Sequence, residues 1–183
     1  TCALPISAAK EIALQQGMVA TFMAKVSHDL GGSSCHIHMS MLDEAGSSAF
    51  DDGSGGMSDN LRSFLAGLLR YGRDFFLLLA PTTNSYKRLV PNTFAPDRIG
   101  WAVDNRTVAF RVVGSGVAKR IENRIPGADA NPYLVAAANI AAGLHGVKNK
   151  LEPGQAVVGN AYELQDELPQ ALQLCTNLRD ATR

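Results

Sequence analysis

The chain has 183 residues, with 17 basic and 17 acidic side chains, four histidines and 46% hydrophobic residues. That composition excludes disorder, which needs low hydrophobicity and high net charge, and argues against nucleic acid as a partner, which calls for a basic excess. No apolar run approaches the roughly 20 residues that span a bilayer, so no membrane partner is expected.

Thr1–Gln16 lacks the basic start and apolar stretch of a secretory leader. Three cysteines, Cys2, Cys35 and Cys175, lack zinc-type spacing and read as reduced thiols in a cytoplasm. The chain opens on Thr1 rather than Met, which reads as a piece of something longer.

In chain order, the first predicted element is a helix from Ser7 to Gln16, with Ser7 as N-cap and Gly17 as stop. Met18 to Val26 alternates as a strand, and Gly31-Gly32-Ser33 makes a turn. A second strand covers Ser34 to Leu42, followed by a loop or short hairpin over Asp43 to Asp52. The Gly- and Ser-rich stretch from Asp52 to Gly56 lacks the Lys-Ser/Thr of a phosphate loop and reads as a plain connection.

A long helix follows, capped by Ser58, with Leu61, Phe64, Leu65, Leu68, Leu69, Phe75 and Phe76 at helical spacing and Pro81 as its end. After a loop from Thr82 to Asp97 come three short strands, Ile99–Asp104, Thr107–Val113 and Ala118–Arg124. Asn131-Pro132 opens a helix running to about Lys150, weakened by Gly143 and Gly146, and a terminal helix is expected near Leu168. The order of elements is that of an α+β protein, with helices lining one side of a sheet.

Two stretches carry candidate chemistry. On a strand, His36, His38 and Ser40 share one face, with the two imidazoles about 7 Å apart along it. That spacing suits one metal ligand beside one polar contact, although this stretch alone is equally a solvated strand face. Arg120, Glu122 and Arg124 likewise share a face, and taken alone they read as a surface ion-pair ladder. Their neighbours favour a site. Between Asn84 and Arg124 eight basic residues, Arg88, Arg106 and Arg111 among them, face three acidic ones. Arginine clusters suit carboxylates and phosphates, so this wall points to an anionic, metal-bound ligand. His28 and His145 read as surface residues, Trp101 as core, and Cys35 as an inert thiol on the apolar strand face.

Six segments, taken together, resemble the glutamine synthetase family. They are Ala20-Thr21-Phe22-Met23-Ala24-Lys25, His36-Ile37-His38-Met39-Ser40, Asn84-Ser85-Tyr86-Lys87-Arg88-Leu89, Asp104-Asn105-Arg106-Thr107, Arg120-Ile121-Glu122-Asn123-Arg124 and Asn131-Pro132-Tyr133-Leu134. They occur in the family's order between about Gly17 and Pro153. The resemblance implies part of that family's catalytic domain, a curved antiparallel sheet (a half-barrel) with helices packed outside. It also implies that the small N-terminal β-domain and the remaining metal carboxylates lie upstream of residues 1–183.

By resemblance, His36 and Glu122 are ligands of one divalent ion, Mg²⁺ or Mn²⁺. His38, Ser40, Arg111 and Arg120 match the nucleotide and phosphate side. Gly32, Arg88 and Arg124 match glutamate contacts, and Arg106 matches a catalytic arginine that touches both glutamate and phosphate. The implied reaction uses ATP to activate the γ-carboxylate of L-glutamate as γ-glutamyl phosphate, which an amine or ammonia then attacks. Family members assemble as homo-oligomeric rings.

Three departures qualify the resemblance. Where ammonia-using members carry a glutamate, the loop Pro91-Asn92-Thr93-Phe94-Ala95-Pro96 has Phe94, a candidate amine-site residue. A phenyl ring cannot take a proton, but it can lie against an alkylammonium or cover an apolar chain. This loop resembles that of the γ-glutamylpolyamine synthetases and related ligases, so the expected acceptor is larger than ammonia. Gly31 stands where ammonia enzymes carry Asn, and Val117 where some members carry Lys. An ammonia-using synthetase and a catalytically inactive structural relative are the alternatives, and the 183 residues alone are expected to be inactive.

Overall fold

The computed structural model describes residues 3–91, 93–164 and 173–183, beginning with helix α1 (Ala3–Gln15). The helix starts earlier than expected. Pro5 lies in its first turn, where a missing N–H costs nothing, so Ser7 is inside the helix rather than its cap. Its end is as expected: Gly17 adopts φ 69°, Gly17 N donates to Leu14 O at 3.0 Å, and Met18 N to Ala13 O at 2.9 Å. This paired closure satisfies two terminal carbonyls and needs the left-handed residue that glycine supplies.

The stretch from Met18 to Val26 is not a strand. Its alternation buries little, since Met18 and Val26 are exposed and only Ala24 and Lys25 are buried. The backbone of Lys25 is satisfied by a side chain instead of a ladder: Lys25 N donates to Asn84 Oδ1 at 2.9 Å and Asn84 Nδ2 to Lys25 O at 2.7 Å.

A four-stranded open sheet follows, in the order β1-β4-β3-β2. Its strands are β1 (Ile37–Met39), β2 (Trp101–Val103), β3 (Phe110–Val113) and β4 (Arg120–Asn123). Each is shorter than its sequence pattern, and Ser34 and Leu42 at the ends of the first make only single bridges. The pairs β1–β4 and β3–β4 are antiparallel, whereas β2–β3 is parallel, a departure from an all-antiparallel sheet. The connection between β2 and β3 turns at Asp104, whose φ is 49°.

Strand alternation separates two faces. Phe110, Val112 and Ile121 are buried in the core with Trp101, Phe50, Leu61, Leu65 and Val135. Arg111, Glu122 and His38, in register across β3, β4 and β1, occupy the other face.

Helix α2 (Asp59–Tyr71) is capped by Ser58, whose Oγ accepts from Leu61 N at 3.1 Å. It ends before Pro81 because the turn tightens after Tyr71, and the short helix α3 (Phe76–Leu79) continues the buried side. Helix α4 (Pro132–Lys148) is capped by Asn131, which accepts from Tyr133 N at 3.0 Å. The expected terminal helix near Leu168 lies outside the described residues, while α5 (Leu178–Ala181) lies within them. No helix among the described residues is long and apolar enough to cross a membrane.

The glycines expected to weaken α4 are where α2 crosses it. A Cβ on Gly143 would lie 2.2 Å from the Phe64 ring, and one on Gly146 would lie 2.0 Å from Ser63 O. A buried amide pair, Asn123 Nδ2 to Asn139 Oδ1 at 2.8 Å, then ties β4 to α4. Forcing a methyl into such a contact costs about 3 kcal/mol. Gly146→Ala is therefore expected to lower the unfolding free energy, read by chemical denaturation, by an amount near that figure, without changing the sheet.

Candidate functional site

Glu122 sits in the middle of β4 on the face opposite the core and is 4% exposed. Antiparallel register places His38 of β1 and Arg111 of β3 on either side of it. Its Oε1 lies 3.0 Å from His36 Nδ1 and 3.9 Å from His38 Nε2, and accepts from Arg124 Nη1 at 2.9 Å. Its Oε2 accepts from Arg111 Nη1 at 3.1 Å, and Arg111 also holds Asp104. Arg120 Nε donates to His38 Nδ1 at 3.1 Å. A guanidinium can only donate, so Nδ1 is the acceptor and the ring proton of His38 belongs on Nε2, toward Glu122.

Six residues singled out in the sequence thus join one network: His36, His38, Arg111, Arg120, Glu122 and Arg124. Burial by itself pushes the Glu122 carboxyl upward, but the Arg111 hydrogen bond and the Arg124 charge outweigh it and hold it below the usual range. Burial lowers His36 to about 4, helped by Arg124 and opposed by Glu122. His36 is therefore a neutral imidazole beside an ionised carboxylate.

Arg88 and Gly32 form an adjoining group. Arg88 is the last residue of the 3₁₀ turn Ser85–Arg88, is 4% exposed, and donates from Nη2 to Ile125 O. A Cβ on Gly32 would come within 2.4 Å of Arg88 Cγ, so only glycine permits this approach. Burial lowers the Arg88 guanidinium to about 10, against the attraction of Asp129, and it remains charged at neutral pH. Among the described residues no carboxylate lies within ion-pair distance of it.

The remaining candidates lie outside the network. Arg106 is exposed on the β2–β3 connection, where its charge acts on Asp104. Ser40 is exposed just beyond β1. Phe94 has φ 58° and a ring-bearing residue that is 73% exposed, while its carbonyl accepts from Arg124 Nη2 at 3.2 Å. His28 and His145 are exposed as expected, and Trp101 is core. Cys35 is only half-buried, because β1 starts after it.

Sequence reading missed Asp104, Asp129 and Tyr162. Asp104 becomes a partner of Arg111 only because β2 lies beside β3. Asp129 Oδ2 accepts from Ser85 Oγ at 2.7 Å and Thr82 Oγ1 at 2.8 Å, fixing the turn that presents Arg88. Its place close to the Asn131-Pro132 helix start was a local signal, but its partners lie more than forty residues away.

One neutral imidazole and one ionised carboxylate suit a Mg²⁺ or Mn²⁺ ion as two of its donors. Among the described residues no group of three or more His, Cys, Asp or Glu is placed to hold a metal. His36 and Glu122 thus fit as part of a coordination sphere.

Two outcomes follow from this geometry. Removing one partner of a buried ion pair costs about 3–5 kcal/mol, so Glu122→Gln, which leaves Arg124 facing a neutral amide, is expected to lower unfolding free energy on that scale in denaturant titration. His36 has a folded pKa of about 4 against an ordinary 6.5. The folded chain therefore binds fewer protons in this window, and the His36 contribution to stability is complete above the ordinary value and lost as pH falls toward the folded one. His36→Asn is expected to flatten the slope of Tm against pH there, with the wild-type imidazole titrating near pH 4 by NMR.

A sequence profile described as "Glutamine synthetase, catalytic domain" matches residues 6–183. Gamma-glutamylethanolamide synthetase GlnA4 of Streptomyces coelicolor is 56% identical over 154 residues, which are 84% of this chain and 33% of that protein. Glutamate–isopropylamine ligase of a Pseudomonas species is 47% identical over 175 residues, 94% of this chain and 38% of that protein. The chain thus spans about a third of the length of the curated relatives it matches. A solved structure, apo GmaS without ligand, superposes with a TM-score of 0.83 at 40% identity, covering 95% of this chain and 40% of that one. The profile match over residues 6–183 shows that the chain belongs to the glutamine synthetase family, through its catalytic domain.

Proposed function

We propose that the protein is an ATP-dependent ligase that joins the γ-carboxylate of L-glutamate to an amine larger than ammonia, with residues 1–183 forming part of its catalytic domain. The observation that carries this reading is charge. Arg88 and Arg124 are both 4% exposed and close enough to perturb one another, yet Glu122 is the one carboxylate that either of them pairs with among the described residues. An anionic substrate supplies the compensation they lack.

In this reading Arg88 and Arg124 hold glutamate, with the Gly32 backbone against it. His38, Ser40, Arg111 and Arg120 line the nucleotide side. A γ-carboxylate oxygen forms a bond to the terminal phosphorus of ATP, and ADP leaves. The amine nitrogen then forms a bond to the γ-carbon, inorganic phosphate leaves, and the nitrogen gives up a proton. Both steps spread negative charge over oxygens, and in this reading Arg106, on the β2–β3 connection, is the arginine that meets it. His36 and Glu122 would hold a Mg²⁺ or Mn²⁺ ion, which when bound neutralises phosphoryl charge.

Phe94 supports the larger acceptor. Its exposed ring stands on a loop carbonyl bonded to Arg124, where it offers an apolar surface and no carboxylate. The relatives named for ethanolamine and isopropylamine products point the same way. A homo-oligomeric ring, as in the family, belongs to the same proposal.

Phosphate release by the purified protein with ATP, glutamate and a single acceptor tests the reading. Ethanolamine, isopropylamine or putrescine is expected to exceed ammonia at least tenfold in kcat/KM, while residues 1–183 alone, with two metal donors, show no turnover. Faster release with ammonia overturns the choice of acceptor. Absence of release with every acceptor favours an inactive structural relative.

A further inference from the structure

Two successive carbonyls of the loop carrying Phe94 are tied down from different directions. Phe94 O accepts from Arg124 Nη2 at 3.2 Å, and Ala95 O accepts from the Tyr162 hydroxyl at 3.0 Å. Between them Phe94 is held at φ 58°, a left-handed conformation that a bulky residue adopts only when its surroundings impose it. The ties therefore decide where the phenyl ring stands.

Tyr162 is itself anchored to the other side of the site. It belongs to a turn in which Ala161 N donates to Thr107 Oγ1 at 2.9 Å and Asn105 Nδ2 donates to Gly159 O at 2.7 Å. Asn105 and Thr107 are the neighbours of Arg106 on the β2–β3 connection. Tyr162 N also donates to Asn160 Oδ1 at 3.1 Å, which stiffens the turn. One turn thus spans from the connection bearing Arg106 to the loop bearing Phe94. Its phenol is raised by burial and by Asp97 and lowered by the charges of Arg124 and Arg88, which puts it within electrostatic reach of both buried arginines.

We propose that Tyr162 is a positioning residue for the acceptor: its bond to the Ala95 carbonyl holds the Phe94 loop in register with Arg106 and Arg124. This rests on the reading that Phe94 faces the acceptor. Without the hydroxyl, the left-handed turn keeps one tie, Phe94 relaxes toward negative φ, and the ring leaves the acceptor's path. Among the described residues the Tyr162 hydroxyl bonds the Ala95 carbonyl and none of the residues assigned to glutamate or nucleotide, although the charges of Arg88 and Arg124 reach it.

Tyr162→Phe retains the ring and removes only the donor. In the full protein the variant is expected to raise KM for the acceptor five- to twentyfold, with KM for glutamate and ATP and kcat at saturating acceptor all within twofold. The assay uses whichever acceptor the wild type turns over best, ammonia included, so that a wrong choice of acceptor stays separate from a wrong role for Tyr162. Amide hydrogen exchange over residues 93–98 gives a readout that needs no turnover, and the variant is expected to exchange there at least fivefold faster. An unchanged acceptor KM, equal rises in all three KM values, or unchanged exchange in that segment would each overturn the proposal.

Discussion

A carboxylate buried in the middle of a strand must be compensated, and the way Glu122 is compensated organises much of the molecule. Its two oxygens draw in His36 just before β1, His38 of β1, Arg111 of β3 and Arg124 just after β4, so neighbouring segments meet on one ionised group. Desolvation offsets most of the attraction in such an arrangement, so its main product is orientation rather than stability. The orientation is consequential. Arg111 is held from two sides, His38 is fixed by Arg120, and His36 is kept neutral beside the anion.

The opposite face of the same sheet makes this affordable in structural terms. Phe110, Val112 and Ile121 share the core with α2 and α4, whose backbones approach closely through Gly67 and Gly146 while Gly143 receives the Phe64 ring. The hydrogen bond between the Asn123 and Asn139 side-chain amides joins sheet to helix one residue away from Glu122. Polar side chains on short strands are only as well placed as the layer behind them, and here that layer is apolar and tightly fitted.

Beside the sheet, the parts that carry Arg88, Gly32 and Phe94 are irregular backbone. They are secured by side chains rather than ladders: Asn84 on Lys25, Asp129 on Thr82 and Ser85, Tyr162 on Ala95. Loops held at a few points can be altered without disturbing the core. The residues proposed for metal and nucleotide lie on or beside strands, whereas Phe94, proposed for the acceptor, lies on a loop.

The sequence by itself determined what depends on near neighbours. Ser58 and Asn131 cap their helices, Gly17 ends the first, and alternation puts His36 and His38, and Arg120, Glu122 and Arg124, on common faces. The ordered motifs were enough to indicate the family. Other features required the tertiary structure, because they depend on partners far along the chain. Met18–Val26 alternates like a strand but joins no ladder among the described residues, and Asn84 satisfies the Lys25 backbone instead. Gly143 and Gly146 look like defects in a helix until α2 is seen crossing there. Asp104 joins Arg111 only through the parallel β2–β3 pair, and Tyr162 meets Ala95 across sixty-seven residues. A local pattern specifies which face a residue occupies, whereas the packing of distant segments decides what it meets there.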